Sequence, residues 1–348
     1  MKLALKLALT LAFMALCLWL AFPRREDYAK LAQGLATIDW TYVWLFVPTA
    51  AVMHVFRAWR WEYLLRPLGA HVPFWRLFNV SSVGFMAILA LPVRLGEFVR
   101  PYLVAEKGKL SMSAALGSVA VERTVDGLLV SLYLFVSFLF LQGPHAAEAR
   151  AVAWAALGLF AAATAYLVIG VLWPEGTVRW TVRLTLLPRL APRFADRVAA
   201  VCRGVILGFR SLRHLRHFLV FLAMSVVYWG ANGLGMWVLA RGFALDLSLD
   251  GAFAVMSVVA AAITLPNTPG LVGQFHAAGK FSLLLHLPAA TVEGPGMAYI
   301  VTVHAAQAIW YIGLGLIGMV LTSVPFARVV RASKAAAAEA DAGGGVAS

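Results

Sequence analysis

The stretch Leu91 to Leu103, LPVRLGEFVRPYL, decides the reading of this chain, together with VERTVDG at Val121 to Gly127. Between them they place Arg94, Glu97, Arg100, Glu122, Arg123 and Asp126 in segments otherwise apolar enough to lie in a bilayer. Each such group costs roughly 2.5 to 3.5 kcal/mol at membrane depth, so six left unpaired would exceed the stability of a typical fold. They must pair or face a wet cavity. Three are cationic and three anionic, so they can form a neutral network. A break at Leu91-Pro92 falls beside it, because proline removes a helical hydrogen bond and clashes with the preceding turn.

Outward from this block, the chain reads as an all-α polytopic membrane protein. Of its 348 residues 62% are hydrophobic and only 13% charged, and mean hydropathy is +0.82. The net charge of +13 comes from arginines in loops between apolar spans, where they obey the positive-inside rule and meet anionic phospholipid; no nucleic-acid partner is expected. Cys17 and Cys202 make neither a disulfide framework nor a metal site. Residues 7–22 lack a small-residue cleavage site, so an uncleaved first helix over 2–22 is expected, with PRREDYAK after it as a loop.

Further spans are expected over about 40–65, 111–141, 149–173, 218–240 and 296–324, six in all. The apolar stretches 73–107 and 251–287 are too long for one span and are broken at Pro92 and in LPNTPGLVG, Leu265 to Gly273. Thr268 is expected to cap a new half-helix with Pro269 in its first turn. Each stretch therefore reads as a re-entrant hairpin, giving up to eight hydrophobic segments. The halves, about 40–142 and 218–324, repeat the same order: Pro92 and Pro266 are 174 residues apart, and Arg66 and Arg241 are 175 apart. Paired interruptions of this kind point to a transporter-type site near the midplane. The transmembrane domain is expected to occupy 1–334, with a basic amphipathic linker over 174–217 and a low-complexity tail over 335–348.

Topology follows by parity. If both broken segments crossed the membrane, the linker with nine arginines would fall opposite the Arg57 to Arg76 loop. As hairpins they put both basic loops and both termini on the cytoplasmic side, and three true spans between the halves make the repeat inverted.

The residues also carry a chemistry. A half-helix beginning at membrane depth points N–H groups and a positive dipole end into a cavity, and Arg94 with Arg100 makes it a cradle for a phosphate or carboxylate. Glu97, Glu122 and Asp126 would orient those arginines or titrate. In the second half Asn267, Thr268, Gly270, Gly273, His276 and His304 hold the corresponding places, the histidines reading either as proton-responsive or as satisfied interior groups. The run Arg57, Trp59, Arg60, Trp61, Tyr63 is expected to anchor a helix end at the interface, with Arg60 lining a lipid path as the alternative. Gly273 to Lys280 departs from a Walker A loop in spacing and in Phe281 after the lysine, and neither a nucleophile elbow nor HExxH occurs. Neither an enzyme nor a cofactor is expected.

On RWEYLLRPLG, LPVRLGEFVR, VERTVDG and PGLVGQFHAA the chain resembles the flippase-like membrane family typified by the transmembrane part of lysylphosphatidylglycerol synthase, over about 40–322. The resemblance implies a bacterial or archaeal cytoplasmic-membrane protein that moves lipids, or lipid-linked glycans, between leaflets. The synthase's soluble aminoacyl-transferase part is not among these residues, so aminoacylation is not implied. Where many relatives carry an acidic residue this chain has His276, so their substrate and ion coupling are not carried over. Two other readings stand beside translocation: an intramembrane lipid-modifying enzyme using Glu122 or Asp126 as base, and a scaffold for an envelope or lipid synthesis enzyme. The hairpin reading is tested directly by labelling. Lys109→Cys and Arg213→Cys are expected to react with an impermeant maleimide from the same, cytoplasmic face; reaction from opposite faces would remove it.

Overall fold

In the computed structural model of the protein the described residues are 2–22, 25–91, 96–105, 110–142, 146–173, 175–177, 179–180, 215–264, 268–325 and 327–329. All regular structure among them is helical. The helices are α1 (Lys2–Ala21), α2 (Arg25–Ala36), α3 (Trp40–Leu65), α4 (Phe74–Ala90), α5 (Val99–Ala105), α6 (Met112–Phe140), α7 (Ala146–Leu172), α8 (Leu215–Arg241), α9 (Leu249–Ala262), α10 (Gln274–Leu284) and α11 (Met297–Thr322). The expected linker and tail lie almost entirely outside the described residues, as do Pro92, Arg94, Pro266 and Asn267.

Local chemistry sets many of the ends. Asp39, Ser111 and Ser248 accept from the backbone N–H of Thr41, Ala114 and Gly251 at 2.9, 3.3 and 3.2 Å. Each such cap satisfies one of the donors a helix start leaves orphaned. A five-residue π turn, Val292–Gly296 with Pro295 inside, leads into α11.

Among the described residues four helical runs are long and apolar enough to cross a membrane: Ala114–Phe140, Ala146–Gly170, Leu215–Arg241 and Ala289–Thr322. A fifth is reached if Glu26–Ala36 and Trp40–Leu68, bent by 86°, count as one. Of the six expected spans, four or five meet this test of length and composition; α3 carries Arg57, Arg60 and Glu62 in its second half, and α1 enters only as the shorter apolar run Thr10–Ala21. The part of the expected PRREDYAK loop that is described, Arg25 to Lys30, is helical: α2 starts at Arg25, and Tyr28 stacks on Phe22 at 5.4 Å. Lys30 reaches Glu293 at 2.8 Å, a tie visible only in three dimensions.

Both broken stretches end their first helix close to where the sequence predicts. α4 stops at Ala90 and α5 resumes at Val99; α9 stops at Ala262 and α10 resumes at Gln274. At the first break a Cβ on Gly96 would collide with the Ala87–Ile88 peptide, so the chain folds back directly onto α4 there. At the second break the expected start at Pro269 is only a 3-10 turn, Pro269–Leu271, and Gly273 with φ 82° is the N-cap of α10. That backbone region costs a side chain strain and glycine almost nothing.

Packing joins helices far apart in the sequence. α3 lies along α8, α4 packs on α11, and α9 packs on α6. Small residues let the backbones approach: Gly235 faces Thr49 and Phe46, Gly315 faces Met86, and Gly318 sits on the Asn79 carbonyl. One large apolar core runs through these pairs, and a smaller one joins the end of α6 to the start of α7 and to Ala254 of α9.

Candidate functional site

The ionisable residues converge where α3, α5, α6 and α8 meet. Glu122 and Asp126, one turn apart on α6, face the same way. Arg60 of α3, with its side chain 0% exposed, grips Asp126 with both terminal nitrogens, at 2.6 and 2.8 Å, and reaches Glu122 at 3.2 Å and the Ser225 hydroxyl at 2.8 Å. Arg100 of α5 holds Glu122 in a second two-pronged pair at 3.1 Å for each contact. Arg123 donates to Glu122 at 2.6 Å and pairs with Asp126 at 3.1 Å, and the Trp229 indole donates to Asp126 at 2.9 Å. Planar forks of this type are the strong form of ion pair.

The surroundings are built to admit these groups. A Cβ on Gly84 of α4 would collide with the stem of Arg100, so glycine there is what lets Arg100 through. Its guanidinium lies over Trp61 at 4.2 Å, and that of Arg60 over Tyr228 at 4.7 Å. Trp61 is fastened by its indole N–H to the Ser118 hydroxyl at 2.9 Å. Arg60 and Trp61 are therefore core groups, and the expectation of an interface anchor is corrected. The hydropathy of a helix end cannot separate a belt at the lipid headgroups from an inward-facing cation that meets α6.

The six residues read from the sequence did not include Arg60, which belongs to the network, or Arg57, which lies beside it and which sequence reasoning left among the anchors. Arg57 donates to the Tyr311 hydroxyl at 3.1 Å and lies over the Phe85 ring at 3.8 Å, with no carboxylate partner among the described residues. Arg94 cannot be placed, since it lies outside the described residues. Arg57 and Arg60, three residues apart, share the inward side of α3, a spacing that was available to find them.

Beside the network is a cavity of about 450 Å³, within the range of small-molecule sites. Its lining changes character along α6. Arg123 and Asp126 come first, then Gly127, Val130, Ser131 and Leu134 on the same face. Arg57, Tyr228, Trp229, Asn232, Gln307 and Tyr311 surround the polar end, and Glu97 enters from the first break. Ile88 and Leu89 of α4, Met256 and Val259 to Ala261 of α9, Ile263 just after it, and Leu271 and Phe275 at the second break supply most of the apolar wall. The cavity thus lies between the two interruptions. Arg123 keeps 34% of its side chain exposed. Arg60, Arg100 and Glu122 do not line the cavity at all.

The second break satisfies itself. The Thr268 hydroxyl donates to the Val272 carbonyl at 2.7 Å, and Gln274 bridges the Thr268 N–H and the Ala262 carbonyl. His276 Nδ1 accepts from the Gly273 N–H at 3.2 Å. His304 Nε2 donates to the Gly270 carbonyl at 2.8 Å, which fixes its tautomer because a carbonyl can only accept. The two imidazoles meet edge to face at 5.0 Å. These groups shape the turn, and none of Thr268, Gly270, Gly273, His276 and His304 lines the cavity. Among the described residues no three or more His, Cys, Asp or Glu side chains gather as a metal site.

The family model for the lysylphosphatidylglycerol synthase TM region matches residues 3–315. The chain belongs to that family. It is accordingly a multi-pass membrane protein of a family tied to lipid metabolism or transport. Neither a curated protein nor a solved structure matches it.

The network makes a stability prediction. Arg60→Met leaves Asp126 and Glu122 undercompensated in a buried site and is expected to cost about 3 to 5 kcal/mol, whereas Arg60→Met with Asp126→Leu recovers most of it. Arg66→Met, at a half-exposed pair with Glu62, should cost about 1 kcal/mol or less. Denaturation in detergent checks this; equal losses for Arg60→Met and Arg66→Met would mean the network does not hold the fold.

Proposed function

We propose that the protein binds an amphiphile with an anionic headgroup in the cavity between its two broken segments and carries it from one leaflet of the cytoplasmic membrane to the other. The observation that carries this reading is Arg57, a cation without a carboxylate partner among the described residues, facing a cavity that also holds Arg123 and turns apolar along α6. The two arginines meet the headgroup, and the apolar wall receives the first part of the tails. Arg60, Arg100 and Glu122 serve as the frame. This assignment replaces the expected headgroup role of Arg100, whose side chain is 2% exposed and already doubly paired.

The packing supports an inverted repeat with two re-entrant hairpins. Exchanging the halves maps α3 onto α8, α4 onto α9, α5 onto α10 and α6 onto α11. The pairing of α4 with α11 then becomes that of α9 with α6, and both are present. Such an exchange relates two breaks around one fixed site, the arrangement that permits alternating access. Both termini are placed in the cytoplasm, where the basic linker meets anionic phospholipid.

The test is translocation of fluorescent phospholipid by purified protein in vesicles. Arg57→Gln with Arg123→Gln is expected to slow anionic lipid by roughly tenfold or more, the loss of one or two charge-assisted hydrogen bonds. Arg241→Gln, exposed and not among the residues that line the cavity, should leave the rate unchanged. Equal rates for wild type and the double variant would overturn the reading, and chemically altered lipid would make the protein an enzyme.

A further inference from the structure

We infer that Phe160 is a lateral gate: its ring closes a window between α6 and α7 through which a membrane lipid enters the cavity sideways from the hydrocarbon. The inference rests on the reading of the cavity as a lipid site and adds the route and the residue that controls it.

Three observations place the window. α7 gives the cavity only Ala156 and Phe160, one turn apart on one face. The same stretch turns Leu159, 67% exposed, away from the protein, so a single helix separates the cavity from the bilayer at this level. Opposite Phe160 stands Gly127, where a Cβ would collide with the ring, so the phenyl lies on bare helix backbone.

The seam is fastened on either side of this point. Toward one end Leu134, Phe138 and Leu141 of α6 pack against Ala146, Ala149 and Ala153 of α7, and Arg150 donates to the Leu141 carbonyl at 3.3 Å. Toward the other, Tyr166 packs on the main core. Between them a rotation of one phenyl ring about its χ angles is enough to open a gap, a motion that costs far less than parting two helices. The position matches the cargo. Gly127 follows Asp126 and lies one turn from Arg123, so a lipid passing there delivers its headgroup to the polar end while its tails stay in hydrocarbon. With Phe160 closed, the same ring keeps hydrocarbon away from the ion network.

The experiment reads access rather than transport. In a Cys17→Ala, Cys202→Ala background, Asn232→Cys puts a thiol in the cavity wall, and the protein is reconstituted in vesicles containing phosphatidylethanolamine with a maleimide on its headgroup. Phe160→Ala is expected to raise reaction of that thiol with the lipid-borne maleimide about tenfold, while a water-borne impermeant maleimide changes by less than about twofold. Phe160→Leu, which keeps a packed apolar side chain, should fall between and covers the case in which the alanine variant is unstable. Unchanged lipid-borne labelling in both variants would overturn the gate, and so would equal rises with both reagents, which would indicate loosened packing. Arg57→Gln should leave this labelling intact, so the gate can fail while the anion-site reading stands, and the reverse.

Discussion

The two-pronged grip of Arg60 on Asp126 is the contact on which the rest of this structure depends. Two charges taken out of water cost several kcal/mol each, and only a close, fully hydrogen-bonded partner offsets that. Here Arg60, Arg100 and Arg123 converge on Glu122, while Asp126 takes Arg60, Arg123 and the Trp229 indole. The consequence is mechanical. α3, α5, α6 and α8 are tied at one point, and an apolar seam that slips by a turn would leave a charge stranded.

That point sits beside the first break, and the division of labour among the arginines follows from it. Arg60 and Arg100 are sealed away on their carboxylates, with Gly84 cut back to admit Arg100 and aromatic faces over both guanidinium groups. Arg57 stands at the cavity without a carboxylate partner among the described residues, and Arg123 serves both parts, paired with Glu122 and Asp126 and lining the cavity. A fixed frame beside a receptive pair lets a polar headgroup arrive without dismantling the charges that hold the helices together. Among the described residues the second break contributes shape instead of charge, since Gln274, His276 and His304 bond to its backbone.

Much of this was legible in the residues. Apolar stretches too long for one span, interrupted near Pro92 and Pro266, located both breaks, and the four-residue spacing of Glu122 and Asp126 placed two carboxylates on one face of α6. What stayed hidden depended on partners distant in sequence. Arg60 reads as an interface anchor until α6, some sixty residues later, is laid against it. α2 reads as a loop because its charges outweigh its apolar residues locally, and what sustains it is the stacking of Tyr28 on Phe22 and the bond from Lys30 to Glu293. Gln307 was visible as a polar residue in the last apolar span, but with Asn232 and Tyr311 it becomes a site only because α8 and α11 turn one face to the same cavity.

The central claim, that a buried ion frame holds open a cavity for an anionic amphiphile, is tested most directly by the lipid the protein retains. Native mass spectrometry of protein extracted gently from its membrane is predicted to show anionic lipid enriched over the bulk membrane, with enrichment lost in Arg57→Gln, which leaves every carboxylate pair of the frame in place. Retention of the same lipids in the same ratio by that variant, or of bulk lipid alone by the wild type, would contradict the account.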